Sequence, residues 1–390
     1  MNIKVLASTH EGYIAKKEDF DIFSGHSAGI CYMSSDIDAL FNEPAEKTFK
    51  RAISTKNRAH HSVFGHSYIS FALEDIPKGL AMVLNNEGAY NTSEKSARYT
   101  KMVLSPEEQE LYNKWLERFK TLIRNEYQQQ YPQFFVESRI EKLAQENARY
   151  LISVFTPTTM EYTVSYQQLN YLYQMMKNEI TIGGSNAFMT ALLPSMNDLC
   201  CELEKTGYID EALANGANIK NRKLSIIGND TPEQYFGDVY CTSYEGSFAQ
   251  LAQAQRHRTI DYSFSLLNKP KFYIPPILRK DKVLMDEWLK DCLSQASKFP
   301  QGMLININEY GRLDWFIQKM KERKCTFAQL EINEQTNCIL KNYAKALAEK
   351  SHPRAKELEQ YTKGARCTFV DYTCPSPCGF APGIKENRLI

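Results

Sequence analysis

Arg256-His257-Arg258 closes a stretch, Ser247 to Gln255, that reads as a short helix, and an alternating run from Asp238 to Glu245 reads as a strand leading into it. Three potential cations at a helix end complement the negative end of the helix dipole, which is reason enough for them to be there. Guanidinium forks also suit the bidentate binding of phosphate, so the same triplet suits an anionic ligand. A second stretch in the other half of the chain, Glu94-Lys95-Ser96-Ala97-Arg98-Tyr99, offers a carboxylate, a hydroxyl and a guanidinium within five residues of one another. It fits an ordinary helix start, with Thr92 or Ser93 as N-cap and Glu94 near the positive end of the dipole. It equally fits an anion anchor in which Ser96 and Arg98 bind a phosphate at a helix N-terminus.

Outward from these two stretches the chain is of ordinary globular composition. Its 390 residues hold 47 basic and 46 acidic side chains, so no broad electrostatic field calls for a nucleic-acid or membrane partner, and any anion site must be local. The length is enough for two or three domains with a sizeable core. Met1 to Ala7 reads as a strand and not as a signal peptide, and no run approaches the ~18 apolar residues of a membrane span. Ten cysteines without a secretion signal are expected as reduced thiols in a cytoplasmic protein.

The secondary structure is most legible in the helices. Ser105-Pro106-Glu107-Glu108 carries serine as N-cap, proline in the first turn and glutamate three residues after the cap. Leu111, Trp115, Phe119, Leu122 and Ile123 follow at helical spacing and form a core stripe. Further helices are expected over Glu137 to Val154, Lys282 to Ser297, Gly311 to Arg323 and Thr326 to Lys350. Ile69, Phe71 and Leu73, and again Tyr240, Thr242 and Tyr244, alternate with period two as strands with one buried face. Lys223 to Ile227 reads as another short strand. Ala212 to Asn218 is small and polar enough for a connector, and Thr362 to Ile390, rich in proline and glycine, reads as irregular. Of Cys367, Cys374 and Cys378 only the last two have the spacing of a zinc pair, and no metal is expected. Vicinal Cys200-Cys201 is expected to be buried on a helix.

The two stretches together resemble the ends of one signature. The flavin-dependent thymidylate synthases, the ThyX family, carry R-H-R-x-x-S-x-N-E-x-S-x-R-Y as a single string, and here E-x-S-x-R-Y stands at Glu94 to Tyr99 while R-H-R stands at Arg256 to Arg258. In the first half, His60-His61-Ser62-Val63-Phe64-Gly65-His66 resembles the family's histidine element, with Gly65 in place of a glutamate. Asn85-Asn86-Glu87 falls where R-H-R would be. Ala148-Arg149 and Tyr162-Thr163-Val164-Ser165 resemble later family segments, with Ser165 for an asparagine and Met176 near the place of an arginine. In the second half, Gln253 precedes the arginines at the family spacing, and Asp261 to Leu266 replaces the tail of the signature. Gly311-Arg312-Leu313 to Arg323 and Ala328-Gln329-Leu330-Glu331-Ile332 resemble the family's closing helix pair, with Lys321 an alternative to Arg323.

The resemblance implies an α+β fold of two ThyX-like halves, each a mostly antiparallel sheet packed with long helices: residues 1–212 retaining E-x-S-x-R-Y, residues 213–361 retaining R-H-R, and a tail over 362–390. It implies flavin-dependent transfer of a one-carbon unit to C5 of a deoxyuridine monophosphate at a site shared by the two halves. FAD is the implied cofactor, with NADPH and methylenetetrahydrofolate as co-substrates. Arg323 and Arg256 are the implied catalytic residues, and Gln253, Glu94, Ser96, Arg98 and Arg149 the implied contacts to dUMP. Arg256, His257, Arg258, His60, Ser62 and Arg312 would hold the flavin. The partners implied are the nucleotide and folate, without nucleic acid or membrane, in a homo-oligomer best matched by a dimer of tandem chains. Two alternatives stand beside it: hydroxymethylation of a pyrimidine nucleotide, and a catalytically degenerate homologue that only binds one.

Overall fold

The computed structural model describes residues 1–10, 14–30, 32, 36–215, 222–228, 230–258, 260–376, 378, 380 and 388–390. The expected connector Ala212 to Asn218 therefore lies partly outside the described residues, as does part of the tail. The fold is α+β, with two four-stranded antiparallel sheets and long helices. The first sheet comprises β1 (Asn2–Ser8), β2 (Tyr68–Pro77), β3 (Tyr90–Glu94) and β4 (Pro157–Ser165) in the order β1-β2-β4-β3. The second comprises β5 (Tyr235–Phe236), β6 (Val239–Ser247), β7 (Asp261–Leu266) and β8 (Leu304–Arg312) in the order β5-β6-β8-β7. The two sheets thus share one topology. In each, the second strand runs into a seven-residue helix, Lys78–Leu84 or Phe248–Ala254, before the edge strand.

The alternation seen in the sequence puts Ile69, Phe71 and Leu73 of β2 and Met160, Tyr162 and Val164 of β4 in the core. The second sheet buries Ile305 and Ile307 in the same way, but continues into Glu309, which is 0% exposed. Three donors make that burial tolerable: Lys319 Nζ at 2.6 Å, Tyr240 hydroxyl at 2.6 Å and Tyr244 hydroxyl at 2.9 Å. Helices Leu313–Arg323 and Leu330–Glu349 cover β5 and β6 through Phe316, Met320, Leu340 and Tyr343.

By internal contacts the chain forms two compact units, one of residues 1–95 with 157–227 and the other of residues 96–156 with 228–390. Inside the first, helices Lys17–Ile30 and Ala45–Asn57 approach so closely at Gly25 that a Cβ there would lie 2.3 Å from the Thr48 carbonyl oxygen. Buried Lys56 joins Asp21 to Asp210, at 2.7 Å from the latter. Inside the second unit, Ser105 caps helix Pro106–Ile123 through the reciprocal bonds expected with Glu108. Its core stripe meets helix Lys282–Ser294, with the Trp115 and Trp288 rings edge to face at 4.9 Å. Trp115 Nε1 donates to Asp291 at 2.8 Å.

Some elements end earlier than periodicity suggests. Helix Glu137–Ala148 passes into a tighter turn over Arg149–Leu151, and Gly311 and Arg312 finish β8, so the next helix starts at Leu313. Lys223 to Ile227 is not a strand. It is a turn in which the Ser225 backbone N–H donates to Glu87 and the Ser225 hydroxyl pairs with Asn86, so those groups are not available to a ladder. Among the described residues no helix is long and apolar enough to cross a membrane.

Candidate active site

Glu94 and Ser96, two positions apart, fall in different units. Glu94 is the last residue of β3 and not the first turn of a helix, because its backbone pairs with Met160 of β4. Its carboxylate accepts from Lys78 Nζ at 2.6 and 2.8 Å. Ser96 to Tyr99 is a turn, with the Arg98 and Tyr99 amides folding back on Ser96, so the helix N-terminus expected here is absent as well. The next helix starts only at Pro106.

The second unit gathers the arginines. Arg98 donates from Nε to Glu146 at 2.7 Å and from Nη2 to the Phe327 carbonyl at 2.7 Å, with its guanidinium 5.1 Å from the centre of the Tyr99 ring. Burial opposes its charge, but the Glu146 carboxylate outweighs that and holds Arg98 above the usual arginine range. Arg323, at the end of helix Leu313–Arg323, donates from Nη2 to the Gln253 carbonyl at 2.9 Å. Burial lowers its pKa to about 10, and the charges of Arg98 and Arg256 push it the same way. Arg98 from the first signature fragment and Arg256 from the second therefore bear on one guanidinium. Arg149 is 7% exposed and donates to the Gln329 side chain. Burial pushes it below the usual range.

Under these lies a polar network. Glu331, fully buried, accepts from the Ser247 backbone at 2.8 Å, the Ser247 hydroxyl at 2.6 Å and the Tyr150 hydroxyl at 2.8 Å. Tyr150 also accepts from the Gln329 amide. The network fixes Gln329, hence Arg149, and joins the start of helix Phe248–Ala254 to helix Leu330–Glu349. Burial raises the Glu331 pKa, with the three donors opposing it. Tyr150, Glu146 and Phe327 are site residues that the sequence does not single out. The family-like string Ala328 to Ile332 carries the only signal, for Gln329 and Glu331.

Arg149 Nε, Arg323 Nε and Gln253 Oε1 are among the polar atoms of the second unit that are buried with no hydrogen-bond partner among the described residues. Two N–H donors and one amide oxygen complement a uracil ring, which presents two carbonyl oxygens and one N–H. Unmet buried polar atoms are costly unless a ligand meets them. The same cationic donors would suit a flavin dinucleotide's diphosphate.

The expected flavin contacts are dispersed. Arg256 and Arg258 are exposed at the turn after helix Phe248–Ala254, Arg258 with φ +56°, and the His257 side chain lies outside the described residues. Arg312 ends β8 with its guanidinium 5.9 Å from the Trp315 ring centre. His60 and Ser62 are exposed residues of the first unit, whereas His61 between them is buried against the Tyr171 hydroxyl at 3.0 Å and the Lys56 carbonyl at 3.1 Å. Cys200 is buried, with its thiol pushed up to about 12, and Cys201 is exposed. Cys378 lies 2.6 Å from the Thr326 hydroxyl.

The shared topology also fixes what stands opposite each signature fragment. Pro77 pairs with Pro157 and Ser247 with Leu304 at matching helix starts, and Asn91 faces Thr163 as Asp261 faces Tyr310. Arg256-His257-Arg258 thus corresponds to Asn86-Glu87-Gly88, one residue beyond the triplet chosen by spacing. Glu94, Ser96 and Arg98 correspond to Phe264, Leu266 and Asn268, so the second copy of the tail has no polar counterpart to Glu94 or Ser96.

The family described as Thymidylate synthase complementing protein (Thy1) matches residues 15–181. No curated protein sequence matches the chain. A structure of thymidylate synthase X from Helicobacter pylori with FAD and dUMP is 17% identical, covers 55% of this chain and 99% of its own, and has a TM-score of 0.34. A UMP/dUMP methylase, PolB from Streptomyces cacaoi, bound with 5-Br dUMP, is 14% identical over 55% of this chain and 93% of its own, with a TM-score of 0.35.

Proposed function

We propose, from the match of residues 15–181 to the Thy1 family, that the protein transfers a one-carbon unit to C5 of a deoxyuridine monophosphate with the help of FAD. The observation that carries the reading is that Arg98, Arg149, Arg256 and Arg323 belong to one unit, where Arg323 donates to the Gln253 carbonyl and Arg149 Nε, Arg323 Nε and Gln253 Oε1 are buried with no hydrogen-bond partner among the described residues. Arg98 binds the phosphate. The unmet donors of Arg149 and Arg323 and the amide oxygen of Gln253 hold the uracil edge. Arg323, desolvated and cationic, stabilises negative charge that builds on the pyrimidine oxygens as C5 becomes nucleophilic. Arg256, with Arg258, would hold the anionic part of the cofactor. Bound flavin would supply the hydride that completes the methyl group. Methylenetetrahydrofolate is the proposed carbon donor and NADPH the reductant, in a dimer of tandem chains.

Glu94 is outside this constellation because Lys78 and Asn85 occupy its carboxylate. A second reading, a nucleotide-binding homologue without flavin chemistry, draws on one observation. His60 and Ser62 are exposed residues of the first unit, and Gly65, half-buried at the end of the tight helical turn His61–Gly65, offers no carboxylate.

The visible absorption spectrum of the purified protein, titrated with FAD and then with dUMP, separates the two. A flavin band that dUMP perturbs is the expected result. Nucleotide binding without flavin uptake would replace carbon transfer with the binding-only reading.

A further inference from the structure

A cavity of about 370 Å³ in the second unit is bounded by Arg98, Arg139, Lys142, Glu146, Phe327 and Arg388, among others. Four of these six are cations. The one carboxylate, Glu146, is already engaged by Arg98 through two guanidinium nitrogens. Arg139 Nε and Arg388 Nη1 are buried with no hydrogen-bond partner among the described residues. Aromatic rings fix the two guanidiniums. Arg139 lies 4.8 Å from the Phe327 centroid and 5.6 Å from that of Phe380, and Arg388 lies 4.9 Å from Phe380. Stacking of this kind holds a guanidinium by its faces and leaves the N–H donors at its edges for a ligand.

Arg388 is 7% exposed and is held by its own segment. Its Nε donates to the Ile390 carbonyl at 2.5 Å, the Leu389 carbonyl accepts from the Ile277 N–H at 2.9 Å, and the Leu389 N–H donates to the Tyr127 hydroxyl at 2.8 Å. Burial depresses both guanidiniums, and Arg139 further depresses Arg388. Crowded, desolvated cations of this kind are costly to leave without an anion.

We propose that this cavity seats the phosphate of the nucleotide, and that Arg139 and Arg388, which lie outside both signature fragments, bind it together with Arg98. A phosphate dianion presents three acceptor oxygens and matches the guanidinium forks in charge and geometry. The start of helix Glu137–Ala148, where Arg139 sits, adds its dipole in the same sense. The proposal rests on the nucleotide reading of the site, and it makes a segment far from either signature part of substrate recognition.

The test uses the full chain as wild type, Arg139→Gln, Arg388→Ala and Arg388→Lys, with inorganic phosphate, deoxyuridine and dUMP titrated separately by calorimetry. Wild type should bind inorganic phosphate. Arg139→Gln and Arg388→Ala should each weaken phosphate and dUMP at least tenfold and leave deoxyuridine within twofold, and Arg388→Lys should recover part of the loss. Should Arg388→Ala unfold, Arg139→Gln and Arg388→Lys decide. Failure of wild type to bind phosphate, or equal losses for deoxyuridine and dUMP in Arg139→Gln, overturns the proposal. Flavin uptake measured on the same preparations keeps the two readings apart. Phosphate binding that depends on Arg388 in a protein that takes up no flavin sinks carbon transfer alone, and carbon transfer from dUMP indifferent to both substitutions sinks the phosphate seat alone.

Discussion

Arg98 donates a hydrogen bond to the backbone carbonyl of Phe327 across 229 residues of chain, at 2.7 Å. Through it the turn that carries one signature fragment is tied to the entrance of the helix that carries Gln329 and Glu331. The bond orients a guanidinium whose other arm is fixed by Glu146, so Arg98 is positioned before any ligand arrives.

If Arg98 and Arg256 serve one nucleotide site, removing either should weaken dUMP binding by about 1.5–3 kcal/mol, the range of a charge-assisted hydrogen bond. The double substitution should cost clearly less than the sum. A double-mutant cycle with Arg98→Ala and Arg256→Ala measures this by titration calorimetry. Strict additivity would mean two separate sites.

Asn86 occupies the place of Arg256 in the other sheet and bonds Ser225 Oγ at 2.8 Å. Asn86→Ala is expected to lower stability by about 1 kcal/mol through loss of that bond and to leave dUMP affinity unchanged. A large loss of affinity in a folded variant would place the working site at the wrong triplet.

Glu331→Gln replaces an acceptor surrounded by three donors with a group that must itself donate. One buried N–H is left facing donors, at a cost of about 2–4 kcal/mol. Urea unfolding should show the loss. Because the network positions Arg149 through Gln329, dUMP affinity should fall with it. A variant as stable as wild type would show that the Glu331 network holds little.

Asp210 gives the clearest pH dependence. Burial opposes its charge, but Lys56 and Lys17 hold its folded pKa down to about 2, against about 3.9 unfolded. A depressed carboxylate pKa stabilises the fold above the unfolded value, so about 2–3 kcal/mol is present above pH ~4 and is lost as pH falls towards 2. Asp21 shares Lys56 but is raised, chiefly by burial, and so acts with the opposite sign: its contribution falls as pH rises through its shifted range. Asp210→Asn should therefore flatten the drop in urea stability between pH 5 and 2.5 that wild type shows, and an unchanged slope would refute the assignment.

Local physics made much of this legible. The capping box at Ser105, the stripe through Trp115 and the alternation in β2 and β6 depend on near neighbours, and the structure has all of them. The turn at 223–227 was not legible, because Ser225 finds its partners at Asn86 and Glu87, more than a hundred residues away. Nor was the strand ending at Glu94, since a polar edge strand carries no apolar alternation to reveal it. Arg139 and Arg388 belong to no motif and gain meaning only from a shared cavity.

Local pattern in the chain carries the content: α+β elements, a split signature, and the arginines and glutamine of the proposed nucleotide site. Which of them meet was decided by tertiary structure. Residues 96–156 join the unit that holds the second sheet, because Trp115 and Phe119 bury against Trp288 of helix Lys282–Ser294. That burial is non-directional and indifferent to distance along the chain, and it takes Ser96 and Arg98 into the unit that holds Arg256 and Arg323 while Glu94 stays in the other.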